Sequence, residues 1–580
     1  MKEKTLSINK ENLVLLSTFI CLIPSMTNLR TVLVYLTCSV VLIFLTFKNN
    51  KYKLYLIVLN LSFLYIFSTP TGGLKTNYHI YYPSILKDTL GIFEKDFTAS
   101  FTYPYLAFKL ISNLFFKSNF LIMSEVLNIT VLFLSVFTLF FVIYRLTENQ
   151  FVYISLLSFF LLSVEYQKYL FFNILGINTI FNSFIKNGDW LLNHIINLNH
   201  GFFNEGFAHY RLISDIWQPQ MVTVLLLLVI YFFIENKLNK ALTILAITIL
   251  FNTNNLVIAF SIFLTLLIFY KKDLFKKIIK PYKYSIMFLF FVILFVLFYS
   301  FINLGASTTE NLKLADEIMS NSRIPNHFQA NSYITLFNVI ALDINNFKFE
   351  FGGNYPGDLG FPFEAEIFIF YFFILKFVEE KKTRLLFTVI TSLILVSYFF
   401  TFFFSNSYIS IYLKNFAIWK TSIFVYFFGT VFLLKNISTY LNKTFLLIIF
   451  SVVFIGISTF VPKLDLFSFD NNKQISYSEK DKLYIASPFD YSLSFEHFVS
   501  TTGNFYAHPY KPDEIILWYK QIENVQKKLE SLSCDKIEEV LKEFNADAII
   551  FSQRNLIPPN IKNCSFIETK EGLFIIGNNY

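Results

Sequence analysis

The chain has 580 residues, of which 15% are charged and 20% aromatic, and its formal net charge at pH 7 is +8. Its mean hydropathy of +0.53 and its low charge content exclude an ordinary soluble protein, in which roughly a quarter of the residues are charged. Because long apolar runs recur from end to end, the excess of lysine is expected on the cytoplasmic loops of a membrane protein, and not on a nucleic-acid-binding surface.

The apolar runs predict an α-helical polytopic membrane protein with about 13 transmembrane helices, since one helical crossing needs about 20 mostly apolar residues. The first run lacks a small-residue cleavage site and is expected to be retained in the protein. The weakest run, 241–252, continues into the next through "NTNN" (252–255), which is typical of a tight turn. The predicted spans lie near residues 12–28, 31–47, 53–69, 121–144, 151–166, 219–235, 241–252, 255–270, 284–303, 361–378, 384–404, 417–435 and 443–461.

Lysine placement predicts the orientation of these spans, with the N-terminus inside and the C-terminus outside. The strongest signal is the run "KKDLFKKIIKPYK" (271–283), which falls on the cytoplasmic side. Three long loops, 70–120, 167–218 and 304–360, then lie outside, together with all seven histidines and all four tryptophans. The predicted spans carry almost no acids or bases near their middles, so the pattern favours a site at the outer membrane face over a transport path.

The first long outer loop contains two predicted surface helices with acidic residues between them. The segment "PSILKDTLGIF" (83–93) has an apolar face, which is typical of a short amphipathic helix lying on a membrane. The segment "YPYLAFKLISNLFF" (103–116) is expected to form the second surface helix. Glu94 and Asp96 would then be held just above the bilayer, where a carboxylate can take a proton from an acceptor hydroxyl.

The chain divides into a transmembrane domain, 1–462, and a small extracytoplasmic α/β domain, 463–580. In the second domain ordinary soluble patterning returns and strands alternate with helices. Strands are predicted at 482–487 and 546–552, helices at 512–532 and 535–544, and a hairpin at 565–578 that turns at Glu571-Gly572.

Cysteine is sparse, and two of the four cysteines, Cys534 and Cys564, lie in the predicted outer domain. A disulfide between them would suit an oxidising compartment, whereas two unrelated thiols fit the sequence equally well. Neither cysteine has metal-ligand spacing. The chain also lacks a P-loop, a dinucleotide fingerprint and a nucleophile elbow.

The layout resembles the GT-C superfamily of polytopic membrane glycosyltransferases, and most closely its uncharacterised bacterial members. The resemblance is carried by His79, then Asp96, then "YPY" (103–105) in the first outer loop, and by "SFEHFVSTTGNFYAHPYKPDEIILWYKQI" (494–522) in the tail. Those relatives carry an arginine shortly after the aromatic start of the tail segment, where this chain has Thr501 or Thr502. The resemblance therefore implies no ligand role for this part of the tail.

The resemblance implies transfer of a sugar from a polyprenyl-phosphate donor to a glycan, lipid or protein acceptor at the outer face of the bacterial plasma membrane. It implies that Asp96 is the catalytic carboxylate, with Glu94 as the rival. Cationic groups or a divalent cation would stabilise the leaving phosphate. His209 and Arg211 lie just before a predicted span and are the best local candidates. The other candidates for substrate binding are His79, Arg323, His327 and Lys420.

Two other functions remain open from the sequence. One is a flippase or transporter of a lipid-linked glycan, which would require a polar path through the spans; buried asparagines such as Asn252 leave that option open. The other is a glycan polymerase or ligase, which also works from the outer face.

Overall fold

In the computed structural model the described residues form a layer of apolar helices and a small C-terminal α/β unit. Apart from four isolated positions, the described residues are 94–101, 120–147, 222–304, 308–319, 366–404, 418–437, 482–490, 499–505, 511–569 and 572–577.

The apolar layer is built from helices whose buried side chains form one continuous hydrophobic cluster. Neighbouring pairs include α2 with α3, α3 with α5, α4 with α8, and α7 with α9. The helices are α1 (Phe120–Thr147), α2 (Thr223–Ile234), α3 (Leu238–Phe251), α4 (Leu256–Tyr270), α5 (Lys283–Leu304), α7 (Glu366–Phe377), α8 (Lys381–Phe403) and α9 (Ser422–Ile437); a further helix, α6 (Thr309–Ile318), follows α5 but packs elsewhere.

The prediction of about 13 transmembrane helices is wrong. Within the described part of the chain, one helical segment, Thr253–Asp273, is long and apolar enough to cross a membrane; it has 21 residues and a mean hydropathy of 1.8. Other apolar runs form shorter helices: α2 has 12 residues and α3 has 14. At 1.5 Å per residue these two reach only about 18 and 21 Å, less than the roughly 30 Å hydrocarbon core of a bilayer. The five shorter apolar stretches are Phe133–Thr147, Thr223–Ile234, Leu238–Phe251, Lys283–Tyr299 and Ser422–Asn436.

Close backbone approach between α7 and α9 depends on a glycine. A Cβ atom at Gly429 would lie 2.8 Å from both the Cβ and the carbonyl oxygen of Phe370, which is closer than real Cβ contacts. The absence of that atom lets the Phe370 ring pack against Tyr426, with ring centroids 4.9 Å apart. The two helices are therefore held at a fixed register by a steric fit.

Basic residues gather at one end of the apolar layer. Lys435 at the end of α9 donates to the carbonyl of Leu146 at the end of α1, at 2.9 Å. Lys382 at the start of α8 is 4% exposed and donates to the carbonyl of Phe233 at the end of α2, at 2.8 Å, and to the side chain of Asn236. These cations donate to carbonyl groups in the last turn of a neighbouring helix, where a positive charge interacts favourably with the helix dipole.

The same end includes the turn between α2 and α3 and the segment between α4 and α5. Ser285 in the first turn of α5 donates to Asn239 in the first turn of α3, at 3.0 Å. The lysine-rich residues 271–283, which we call the basic loop, lead directly into α5. The apolar layer is thus polarised, with lysines concentrated at this end.

The C-terminal unit is a four-stranded mixed sheet with two helices. The strands, β1 (Tyr484–Ile485), β2 (Ala548–Phe551), β3 (Ile567–Glu568) and β4 (Phe574–Ile576), stand in the order β1-β2-β4-β3. Strand β1 is parallel to β2, and the other neighbours are antiparallel. Helices α10 (Pro512–Glu530) and α11 (Ile537–Phe544) supply apolar faces to the core of the unit.

Each element of this unit overlaps a segment predicted from the sequence, and the hairpin turns at Gly572, whose φ of 79° favours glycine. Cys534 and Cys564 form a disulfide, with Cα atoms 5.8 Å apart. The two-thiol alternative is therefore not what the structure has. The boundary at 462/463 lies outside the described residues and stays a prediction.

Candidate functional site

The acidic segment of the first long loop, residues 94–101, adopts a compact turn built by Asp96. Its Oδ1 accepts hydrogen bonds from the backbone N–H of Thr98 at 2.9 Å, from the backbone N–H of Ala99 at 3.0 Å and from the Thr98 hydroxyl at 2.6 Å. An aspartate two or three residues before such donors is the usual cap of a helical turn, and here the turn is the 3₁₀ helix Thr98–Ser100.

The other carboxylate oxygen of Asp96 binds the C-terminal unit. Its Oδ2 accepts the backbone N–H of Thr501 at 2.8 Å, and the backbone N–H of Phe97 donates to the Thr501 carbonyl at 3.2 Å. Thr501 lies beside Tyr484 of β1 in a parallel bridge. The turn is therefore attached by its backbone and by its acid to the edge of the sheet.

An apolar cluster supports this attachment. Phe97 and Phe101 pack edge to face, with ring centroids 5.1 Å apart, and Phe101 is buried against α6 and α10. Trp518 of α10 is fully buried in the same cluster and donates its indole N–H to the carbonyl of Asn504 at 2.9 Å. Three segments far apart in sequence, the acidic turn, α6 and α10, thus share one apolar core.

A polar contact ties α6 to α10 at the edge of this cluster. The side-chain amide of Asn311 donates to Oδ1 of Asp513 at 2.7 Å. Thr308 caps α6 by accepting the backbone N–H of Asn311, at 3.3 Å. The start of α6 is therefore fixed against the first turn of α10.

Asp96 is buried, with 2% of its surface exposed. Burial raises the pKa of its carboxyl above the ordinary value of 3.8, while the hydrogen bonds from Thr501, Thr98 and Ala99 act in the opposite direction. With both oxygens occupied by backbone donors, the carboxyl group has little capacity left for a substrate. Its geometry is that of a group that positions the turn.

Glu94 has the opposite environment. It lies in the turn two residues before Asp96 and is exposed, as is the neighbouring Lys95. The Asp96 contacts fix the backbone that carries Glu94, so an exposed carboxylate is presented beside the junction of the turn and the sheet. Of the two acids predicted as catalytic, Glu94 is the one that can reach a ligand in this conformation.

Most of the predicted substrate-binding residues lie outside the described residues: His79, His209, Arg211, Arg323 and His327. The predicted surface helices at 83–93 and 103–116 lie outside them as well, apart from Lys87. Lys420 belongs to a 3₁₀ turn, Ile418–Thr421, that leads into α9, and its side chain is not described. These roles stay predictions.

A divalent cation also stays a prediction. Among the described residues, no three His, Cys, Asp or Glu side chains converge in a way that could hold a metal ion. The carboxylate of Asp96 already accepts protein donors, so it is unsuited to bind a cation in this arrangement.

The sequence reasoning missed the two threonines that bind Asp96. Thr98 has a local signal, because Asp-x-Thr is a pattern in which the acid caps the following turn. Thr501 has none, since it lies 405 residues away and no periodicity connects the two positions.

No family model, curated protein sequence or solved structure matches this chain.

Proposed function

We propose that this protein is a membrane glycosyltransferase that moves a sugar from a polyprenyl-phosphate donor to an acceptor hydroxyl at the outer face of the bacterial plasma membrane. The observation that carries the proposal is the fixed acidic turn. Asp96 anchors residues 94–101 to the C-terminal unit and leaves Glu94 exposed beside the junction. The proposal assigns the positioning role to Asp96 and the contact with the acceptor to Glu94.

The proposed reaction uses Glu94 as a general base. The acceptor O–H gives its proton to the Glu94 carboxylate while the acceptor oxygen forms a bond to C1 of the sugar. The bond between C1 and the phosphate oxygen breaks, and its electron pair leaves with the polyprenyl phosphate. The proton on Glu94 then passes to water, which restores the carboxylate.

The proposed location places the C-terminal unit outside and the basic end of the apolar layer inside. A disulfide persists in oxidising compartments outside the cytoplasm, and Cys534 and Cys564 form one. Cytoplasmic loops carry an excess of lysine and arginine, and lysines collect in and around the basic loop. The position of the basic loop at the end of the candidate span Thr253–Asp273 supports an orientation of that span with its C-terminal end inside.

The experiment is a transfer assay with purified full-length protein and a panel of radiolabelled polyprenyl-phosphate sugars. Glu94→Gln should lower the transfer rate by about 10²–10⁴-fold, the usual contribution of a general base, with an unchanged melting temperature. Asp96→Asn should lower both the transfer rate and the melting temperature, because the turn loses its anchor. Glu538→Gln, an exposed acid on α11, is the matched control and should leave both unchanged.

The outcomes separate the competing functions. If Glu94→Gln transfers sugar at the wild-type rate while Asp96→Asn is inactive but normally stable, Asp96 is the base and the assignment is reversed. If wild-type protein transfers no sugar but moves a labelled lipid-linked glycan across vesicles, the protein is a flippase. Formation of long glycan chains from a lipid-linked oligosaccharide would identify a polymerase.

A further inference from the structure

We propose that the basic loop, residues 271–283, is a docking surface for the anionic headgroups of membrane phospholipids. The inference concerns how the protein engages the bilayer, and it does not depend on the proposed sugar transfer. It rests on charge, on the exposure of apolar side chains between the charges, and on the position of the loop beside the candidate span.

The basic loop carries an uncompensated positive charge. All six of its lysines are exposed, and its single acid is Asp273, so six positive charges and one negative charge give a net charge of +5. Asp273 forms an ion pair with Lys277, whose Nζ lies 2.8 Å from the Asp273 carboxylate. The exposed lysines are Lys271, Lys272, Lys276, Lys277, Lys280 and Lys283.

The backbone of the basic loop is held in place. Helix α4 ends where Lys271 takes a φ of 42°, in the left-handed region, and the chain then turns. Ile278 is buried against the apolar layer, with Leu274 packed beside it. The backbone N–H of Lys280 donates to the carbonyl of Phe275 at 2.9 Å, which closes a helical turn. The lysines are therefore presented from an ordered scaffold.

Exposed apolar side chains alternate with these lysines. Phe275 is 66% exposed and Ile279 is 38% exposed, and Tyr284 just after the loop is 75% exposed. Lys283 places its Nζ 4.7 Å from the centre of the Tyr284 ring. A soluble polyanion would need only the charges, whereas a membrane surface also accepts aromatic and aliphatic side chains at headgroup depth.

The position of the basic loop also favours a membrane surface as its partner. It overlaps the end of the candidate span Thr253–Asp273 and leads into α5, whose outward side chains are also apolar. A polybasic segment next to a membrane helix lies within a Debye length of the headgroup phosphates and attracts anionic lipid. Free phosphate would gain none of the apolar contacts.

The test measures lipid binding by the full-length protein in nonionic detergent, using native mass spectrometry with added dioleoyl phosphatidylglycerol or phosphatidylcholine. Wild type should bind phosphatidylglycerol more tightly than phosphatidylcholine. The triple variant Lys276→Gln, Lys277→Gln, Lys280→Gln should lose about 10²-fold in affinity for phosphatidylglycerol at low salt, since each lysine near a membrane contributes about fivefold. Its affinity for phosphatidylcholine should stay the same.

The matched control removes the same charge elsewhere. Lys520→Gln, Lys527→Gln, Lys542→Gln changes three exposed lysines of the C-terminal unit and should bind phosphatidylglycerol as wild type does. A Lys→Arg version of the first triple variant should retain binding and tests whether the loop has kept its fold. The salt dependence of wild-type binding is a second measurement that needs no variant, and affinity should fall steeply as salt is raised.

Several results would overturn the proposal. One is equal affinity of wild type for phosphatidylglycerol and phosphatidylcholine. Another is a loss of phosphatidylglycerol affinity in the C-terminal control variant as large as the loss in the basic-loop variant. Competition by millimolar inorganic phosphate would indicate a free-phosphate site. Binding of an RNA oligonucleotide or an acidic peptide that displaces phosphatidylglycerol and survives Phe275→Ser and Tyr284→Ser would indicate a soluble polyanion.

Discussion

At the scale of single residues, Asp96 is the group on which the acidic turn depends. In Asp96→Asn, the amide oxygen can still accept from Thr98 and Ala99, but the amide nitrogen then faces the Thr501 N–H, and two donors oppose each other. An unsatisfied buried donor costs about 1–3 kcal/mol. We expect a lower melting temperature at mildly acidic pH, measured by differential scanning fluorimetry in detergent.

The control for this variant is Glu538→Gln, which makes the same chemical change at an exposed position and should melt as wild type does. A wild-type melting temperature for Asp96→Asn would mean that the Thr501 contact adds nothing to stability.

The pKa of Asp96 predicts how its contribution to stability depends on pH. Because burial raises this pKa above 3.8, the folded protein holds the proton more tightly than the unfolded chain does. The contribution of Asp96 to folding stability is fully present below the ordinary pKa of the carboxyl. It is lost as pH rises through the pKa that Asp96 has in the folded protein. The stability advantage of wild type over Asp96→Asn should therefore narrow as pH rises from the ordinary pKa of the carboxyl through its raised pKa in the folded protein.

This pH dependence is checked by paired melting curves of the two proteins across that range. An advantage that widens with rising pH would show that the hydrogen bonds outweigh burial and that the folded pKa lies below its ordinary value.

At the scale of elements, Phe101 joins the acidic turn to α6 and α10. It is buried in the shared apolar cluster, and replacing such a phenylalanine by alanine typically costs about 3–5 kcal/mol. Phe101→Ala should loosen the turn from the sheet, so hydrogen exchange should accelerate at the amides of Thr98, Ala99 and Thr501. Exchange within β2, in the middle of the sheet, should change less.

Leu517→Ala is the control for this effect, because Leu517 lies on α10 but is largely exposed. It should leave exchange in the turn unchanged. Equal acceleration in both variants would indicate a general loosening of α10, and not a specific role of Phe101.

The elements also separate what local patterns can predict from what they cannot. The strands and helices of the C-terminal unit were predicted because amphipathic period, proline at the start of α10 and glycine in the hairpin are local signals. The contact between Asp96 and Thr501 was not, because it depends on tertiary packing between segments of unrelated pattern. Sequence patterns identify Asp96 as a candidate acid, but they do not predict the buried, hydrogen-bonded environment that decides its role.

At the scale of the whole molecule, the candidate span and the exposed apolar side chains of α5 predict firm membrane attachment. The protein should remain in the pellet after washing membranes with alkaline carbonate, detected by immunoblot. A peripheral protein released by the same wash is the control. Release of this protein would contradict a membrane-crossing segment.

The excess of predicted spans has a physical cause. Hydropathy records that a segment avoids water, but it does not distinguish contact with lipid from contact with other helices. In α9, residues 423–428 are fully buried within the apolar layer, so their apolar character is explained by protein packing. Short helices such as α2 give the same signal without the length to cross.

The attachment of the acidic turn also determines when it can form during synthesis. Asp96 and Thr501 are 405 residues apart, and a ribosome adds about 5–20 residues per second. The carboxyl group of Asp96 therefore leaves the ribosome roughly 20–80 s before its partner exists. During that interval the turn has no Thr501 to bind. A chain released before Thr501 is added would never form this contact. Formation of this contact therefore requires that synthesis has passed Thr501.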